Sequence, residues 1–331
     1  MKRLSVLLAL AGLILGTLLI GWYGFGRVAE AALSVGWRGF AGLAIWQCVL
    51  FVVLGLAWNA IMPRGGLLRI ITWGRMVRDA AANCLPFSIL GGIAAGARSL
   101  TSAGVSWPLA LGSSVVDATA EFLGQIAFIA LGLALLLLKA PGSGLALPAG
   151  AVLVAAIVAG ASFVWLQHGA GRIVRALGRR IAGDWLSGAV PGVDLLQAEM
   201  SGLYRRSAWL ALGSALHLVG WLGTGFAGWL AYRLLGADID LASVLAIEAL
   251  LQVLLTAAFL VPGGIGVQEA GYASLGAAFG LPPELSLGVS LLRRARDMAL
   301  GVPILLIWQF AEARRAMRPA VGPGRIGNLN G

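Results

Sequence analysis

Apolar runs about 20 residues long recur from one end of this chain to the other, and few folds can absorb them. They fall at about 4–22, 37–61, 107–138, 148–167, 207–232, 241–261 and 283–311. A helix of that length crosses a hydrocarbon layer about 30 Å thick with its backbone polar groups satisfied internally. Composition agrees, with 59% hydrophobic and 11% charged residues in 331, against roughly 25% charged in an ordinary soluble domain. The expected fold class is all-α: a polytopic integral membrane protein with about 7–9 transmembrane or re-entrant helices. Residues 1–318 read as one polytopic membrane domain and 319–331 as a disordered tail. The 107–138 run is too long for one untilted span, so part of it is expected to be a half-helix or to lie at an angle.

The net charge of +10 comes from arginine clusters between the apolar runs, which act as topology signals. Lys2 and Arg3 precede the first run. Arg64, Arg69, Arg75 and Arg78 follow the second, Arg172 to Arg206 fill the fourth connection, and Arg314, Arg315 and Arg318 follow the last. All four clusters are expected in the cytoplasm. The 168–206 connection reads as a cytoplasmic amphipathic helix on the membrane surface or as an ordinary loop. Seven crossings would separate two basic termini, so a short segment also crosses or a long one folds back. No nucleic-acid recognition module accompanies the charge. Ala29-Glu30-Ala31 resembles a cleavage site, but the run from Leu4 to Ile20 exceeds an ordinary signal core and favours a retained first span with a cytoplasmic N-terminus. Cys48 and Cys84 are read as packing residues, and His168 and His217 are too distant in sequence to suggest a metal site. Trp22, Trp37, Trp107 and Trp308 lie near run ends and fit interfacial belts.

Two shorter segments, about 84–104 and 264–280, are rich in Gly and Ala. Residues 85–121 slide without gaps onto 261–297 with nine identities in 37 positions, a modest excess for so Ala-, Gly- and Leu-rich a chain. The arrangement is more telling. In each unit a proline precedes a Gly-rich segment, then a Gly turn, then a long helix with charges, a pattern expected of an internal two-fold repeat. Paired Gly/Pro-interrupted segments point to a transporter's midplane site.

The second unit opens with "VPGGIGVQEAGY" at 261–272. Backbone this irregular survives at membrane depth only inside protein or beside a wet cavity. Pro262 suits a helix start, and Gly263, Gly264 and Gly266 permit unusual torsions there. The next helix would then present an N-terminus able to receive an anion such as a lipid phosphate. Glu269, with Gln268 before it, is either a ligand contact or a partner of that helix start. Asp117, Glu121 and Gln125 share a helical face, as do Glu248 and Gln252. Arg293 and Asp297 are spaced to pair on one helix. Arg98, Arg293 and Arg294 could meet a phosphate in a polar cavity, or the charges could form a structural ion-pair network.

These motifs carry a resemblance. "VPGGIGVQEAGYASLGAAFGLPPELSLGVSLLRRARD" resembles the PGGxGxxE segment of the lysylphosphatidylglycerol synthase transmembrane (flippase-like) superfamily. "NCLPFSILGGIAAGARSL", "VVDATAEFLGQ" and "AIEALLQVLLTAAFLVPGGIGVQEAGY" look like its hopanoid-biosynthesis-associated membrane proteins, over roughly 40–312. The motif's proline, glycines and acid fall on Pro262, Gly263, Gly264, Gly266 and Glu269, and the arginine of the next helix falls on Arg293. In the first half the superfamily's Gly-Glu is replaced by Gly91-Gly92, with Arg98 following, which disfavours a symmetric two-carboxylate site. The resemblance implies a lipid-handling, multi-pass protein of the bacterial inner membrane, flippase-like toward a phospholipid or hopanoid and linked to hopanoid biosynthesis. Hopanoid-pathway membrane proteins would be its partners.

The alternative is a non-transporting scaffold for a lipid-biosynthesis complex. An enzyme is not expected, since there is no zinc-protease helix motif, G-x-S-x-G or aspartate-rich diphosphate–metal motif, and no cofactor or metal is implied; without a nucleotide-binding loop, movement would be passive or ion-coupled. The expected substrate-binding set is Pro262, Gly263, Gly264, Gly266, Gln268, Glu269, Arg293, Arg98, Asp117, Glu121 and Glu248.

Overall fold

Lipid offers a backbone no hydrogen-bonding partner, so apolar segments of this length become helices, and the computed structural model is a helical bundle. It describes residues 34–63, 67–84, 88–140, most of 142–162, 190–258, 261 and 264–316. The expected first span, the 168–189 part of the amphipathic connection, Pro262, Gly263 and the tail lie outside the described residues. The helices are α1 (Gly36–Ile61), α2 (Leu68–Cys84), α3 (Ser88–Thr101), α4 (Trp107–Lys139), α5 (Val190–Tyr204), α6 (Ser207–Leu234), α7 (Leu241–Ala257), α8 (Val267–Ala278) and α9 (Pro283–Ala316). Among the described residues α1, α4 and α6 are long and apolar enough to cross a membrane. The protein is an all-α polytopic membrane protein.

One expectation narrows and another changes. Of the two readings of the 107–138 run the half-helix falls away, since the run is one unbroken helix of 33 residues, about 50 Å long at 1.5 Å per residue. Residues 68–84, read from their arginines as cytoplasmic connection, form α2. Arg75 and Arg78 on it are only 2% and 7% exposed, and both are ion-paired inside the bundle. Positive charge marks a cytoplasmic loop only when it has no acidic partner in the protein, and here it has one.

The short Gly-rich segments become α3 and α8, of 14 and 12 residues. At about 20 Å neither reaches across the hydrocarbon layer. The long helices after them, α4 and α9, begin at Trp107 and Pro283, the same 176-residue displacement that superposes 85–121 on 261–297. Contacts follow the same correspondence. α2 packs on α3 and α7 on α8, α3 on α4 and α8 on α9, α1 on α2 and α6 on α7. The long helices cross over, with α4 packing on α7 and α9 on α2, while α1 and α6 pack on each other.

Small residues allow these approaches. A Cβ on Gly124 of α4 would come within 2.9 Å of the Ser214 carbonyl oxygen and the Leu218 nitrogen of α6. The largest apolar cluster joins α6 to α9 through Tyr232, Ile247, Leu251, Tyr272 and Leu292. A second, with Phe51, Val77, Ala80, Ile304 and Leu305, seats α9 on α1 and α2. Ile45, Leu138, Leu306 and Phe310 face outward, as suits a surface in contact with lipid.

Candidate functional site: a charged cavity between the helices

Long helices that cross leave space between them, and here the space is polar. A cavity of about 510 Å³ is walled by α1, α2, α4, α6, α7, α8 and α9. Four guanidiniums line it, those of Arg75, Arg78, Arg293 and Arg296, with Asp79, Glu121 and Asp297 among them. His217, Gln252, Gln268 and Trp221 complete the polar part of the wall, and Leu54, Phe122 and Leu255 part of the apolar part.

The first wall follows from helical spacing. Arg75, Arg78 and Asp79 sit at i, i+3 and i+4 on α2, and Asp117 and Glu121 at i and i+4 on α4, so each set projects from one face. Glu121 accepts from Arg75 at 2.6 Å and from Arg78 at 2.7 Å. One Asp117 oxygen accepts from Arg78 at 2.7 Å and from Arg75 at 3.2 Å. Its other oxygen meets Nε2 of His217 at 2.9 Å. Asp79 takes the Arg75 Nε–H at 3.1 Å. A network in which each charge has several partners is how ionised groups persist at this depth.

The second wall inverts the signs, with the acid on the first helix and the bases on the third. Glu248 of α7 accepts from the Tyr272 hydroxyl at 2.5 Å and from Arg293 at 2.7 Å. Arg293 also donates to the Tyr272 oxygen at 3.1 Å. A small void of about 20 Å³, room for one water molecule, adjoins this knot beside Thr224 and Gly228. The expected Arg293–Asp297 pair does not form. Asp297 accepts instead from Arg296 at 2.8 Å, because the cross-helix carboxylate of Glu248 claims Arg293. On α4 the third member of the expected face, Gln125, donates to Thr256 of α7 at 3.1 Å.

The helix start at α8 is built as a cap. Gly266 takes φ +80°, a left-handed conformation that glycine adopts without penalty. Its N–H donates to Glu269 at 2.7 Å, so the carboxylate folds back on the first turn as in a capping box. The other Glu269 oxygen accepts from Arg294 at 2.9 Å and from Ser290 at 3.3 Å, and Gln268 donates to Ser290 at 2.9 Å. Of the two roles open to Glu269, the geometry is that of partner to the helix start. The carboxylate already sits where an anionic ligand of that N-terminus would go.

Of the expected binding residues, Glu121, Gly264, Gln268 and Arg293 line the cavity. Asp117 and Glu248 stand directly behind it, holding the lining arginines. Gly266 and Glu269 form the α8 cap. Arg98 goes elsewhere: it is 60% exposed and donates to Glu312 at 2.8 Å. The rotation of α3 that buries Ala97 and Leu100 against α1 and α2 turns Arg98 outward. Arg75, Arg78, Asp79, His217, Trp221 and Arg296 are among the wall residues that the sequence reading did not assign to a site. The signal was present in "RMVRD", whose bases and acid share one helical face between apolar residues.

The family model for the lysylphosphatidylglycerol synthase TM region matches residues 8–304. The chain belongs to that family. No curated protein and no solved structure matches it. The family match covers every residue that lines the cavity, and membership makes this a membrane protein related to lipid handling.

Proposed function

We propose that the protein is a flippase-like transporter of the inner membrane, linked to hopanoid biosynthesis, that carries the headgroup of a phospholipid or polar hopanoid through the central cavity. The observation that carries this reading is the cavity itself. Its volume of about 510 Å³ lies in the range of small-molecule sites, roughly 300–1,000 Å³. Its wall offers guanidiniums from two helices, α2 and α9. Buried Gln252 adds an amide nitrogen without a partner, a donor free to meet a headgroup oxygen. Every lining arginine already has a carboxylate partner, so a phosphate would enter by exchanging partners rather than by filling an empty cationic site. The 176-residue correspondence supports an inverted-repeat reading, in which the cavity lies between two halves able to rock against each other.

The test is transbilayer movement of a fluorescent phospholipid in proteoliposomes, followed by chemical quenching beside empty liposomes. Arg296→Gln removes a lining guanidinium whose carboxylate partner is its neighbour Asp297, and should slow movement several-fold while the protein still elutes as a folded species. Movement no faster than in empty liposomes, for both phospholipid and hopanoid probes, would overturn the transport reading.

A further inference from the structure

The cavity turns its acids further toward an incoming group than its bases. The lining side chains of Asp79, Glu121 and Asp297 are 19%, 22% and 22% exposed. Those of Arg75, Arg78 and Arg296 are only 3%, 9% and 7% exposed, and Arg293 reaches 17%. Arg75 and Arg78 are further held by Asp117, and Arg293 by Glu248. What an entering group meets first is therefore carboxylate oxygen, which only accepts hydrogen bonds. Both bonds that Asp297 accepts end on one oxygen, so its other oxygen is open to a donor.

The hydrogen-bonding groups that the wall has not used are neutral. Gln47 of α1, Asn83 of α2 and Gln252 of α7 all line the cavity. Gln47 and Asn83 make no hydrogen bond among the described residues. Gln252 is 5% exposed, and its amide nitrogen has no partner. A half-turn about the last side-chain bond exchanges the nitrogen and oxygen of such an amide, so each can offer a donor or an acceptor.

Charged groups fit this wall poorly. A phosphate meets carboxylates and must displace them from the guanidiniums behind. An ammonium has donors only, so it leaves the Gln252 nitrogen unmet and joins a wall that already holds four guanidiniums. A hydroxyl does both: it donates to a carboxylate in a charge-assisted bond and accepts from an amide. We propose that the group recognised in the cavity is a neutral polyol, either a sugar ring or a linear chain of hydroxyls. Asp79, Glu121 and Asp297 accept from it, and the amides of Gln47, Asn83 and Gln252 complete its hydrogen bonds. Trp221 in the same wall supplies apolar surface for the carbon skeleton. This rests on the headgroup reading above and names the chemistry of the headgroup.

The experiment uses four ligands with the same eight-carbon tail, each below its micelle concentration. Octyl glucoside carries a sugar ring, N-octanoyl-N-methylglucamine a linear polyol, octyl phosphate an anion and octylammonium a cation. Each is titrated by calorimetry into the purified full-length protein in octaethylene glycol dodecyl ether, a detergent with neither sugar nor phosphate. At least one polyol should bind about tenfold tighter than either charged ligand, and the tighter polyol identifies the natural group as ring or linear chain. Gln47→Leu, Asn83→Leu and Gln252→Leu should each raise the polyol Kd by about threefold to tenfold, while Arg98→Ala leaves it unchanged. Melting curves show which variants fold, and each tests the assignment separately, so one that fails to fold leaves the other two. Octyl phosphate or octylammonium binding as tightly as the polyols overturns the polyol assignment and leaves the headgroup site standing. Polyol affinity unchanged in the folded amide variants does the same. Failure of all four ligands to bind overturns the headgroup reading, and the polyol assignment with it.

Discussion

Replacing Glu269 separates a residue that holds the start of α8 from one that meets a ligand. In Glu269→Ala the Gly266 N–H loses an acceptor at 2.7 Å, and a helix N-terminal cap is worth about 0.5–2 kcal/mol. Arg294 loses the oxygen it meets at 2.9 Å. A hydrogen bond to a charged group contributes about 1.5–3 kcal/mol. The Arg294 side chain is 27% exposed, so solvent screening puts this one at the lower end. Together the loss is about 2–4 kcal/mol. Glu269→Gln keeps an oxygen for the cap and loses only the charge, so about 1–2 kcal/mol is expected. At roughly 2 °C per kcal/mol for a chain of this size, the apparent melting temperature should fall by about 4–8 °C for Ala and about 2–4 °C for Gln. Fluorescence-detected melting in detergent measures both. Lipid binding at a temperature where each variant is folded should stay near wild type. A Glu269→Ala protein that melts like the wild type and no longer binds headgroup would refute the capping argument and make Glu269 a ligand contact.

Other substitutions probe the remaining features. Gly124→Ala places a methyl 2.9 Å from two α6 backbone atoms and should destabilise by about 1–3 kcal/mol through overpacking, read as a lower melting temperature. Gln252→Leu removes a buried amide whose nitrogen has no partner; melting should be unchanged or higher, while headgroup Kd rises several-fold. Arg98→Ala breaks an exposed pair with Glu312, so a change within about 1 kcal/mol is expected, with unaltered headgroup binding.

The apolar runs that become α1 and α6 were legible because little in them competes with a spanning helix; the run at 241–261 was legible as apolar, although its helix α7 ends at Ala257 and carries Glu248 and Gln252. The long runs that become α4 and α9 were visible too, but their continuity was not, since length alone does not distinguish a tilted helix from a broken one. Helix α2 escaped notice for a definite physical reason. Arg69, Arg75, Arg78 and Asp79 fall within its 17 residues, so neither hydropathy nor the charge rule for loops marks it as interior. What buries it is the acid pair on α4, about 40 residues further along the chain, and pairing at that range leaves no local trace. Glu269 shows the opposite limit. Its position three residues after a glycine made a cap one of two readings, and the choice rested on where Arg294 and Ser290 lie.

The distribution of ion pairs over the two halves bears on how the chain is made. Arg75 and Arg78 find their acids on α4, and Glu248 finds its base on α9, each within the same run of three helices. The cross-over of α4 onto α7 and of α9 onto α2 is made inside the bundle by apolar and neutral polar contacts, and the ion pairs that join the halves, Lys139–Asp240 and Arg98–Glu312, each have a largely exposed cation. As the chain emerges from the ribosome, each half can therefore pair its own buried arginines as soon as its long helix is complete. The bilayer never has to hold the arginines of α2 through the synthesis of the second half, and the two halves come together afterwards as inserted, charge-satisfied units.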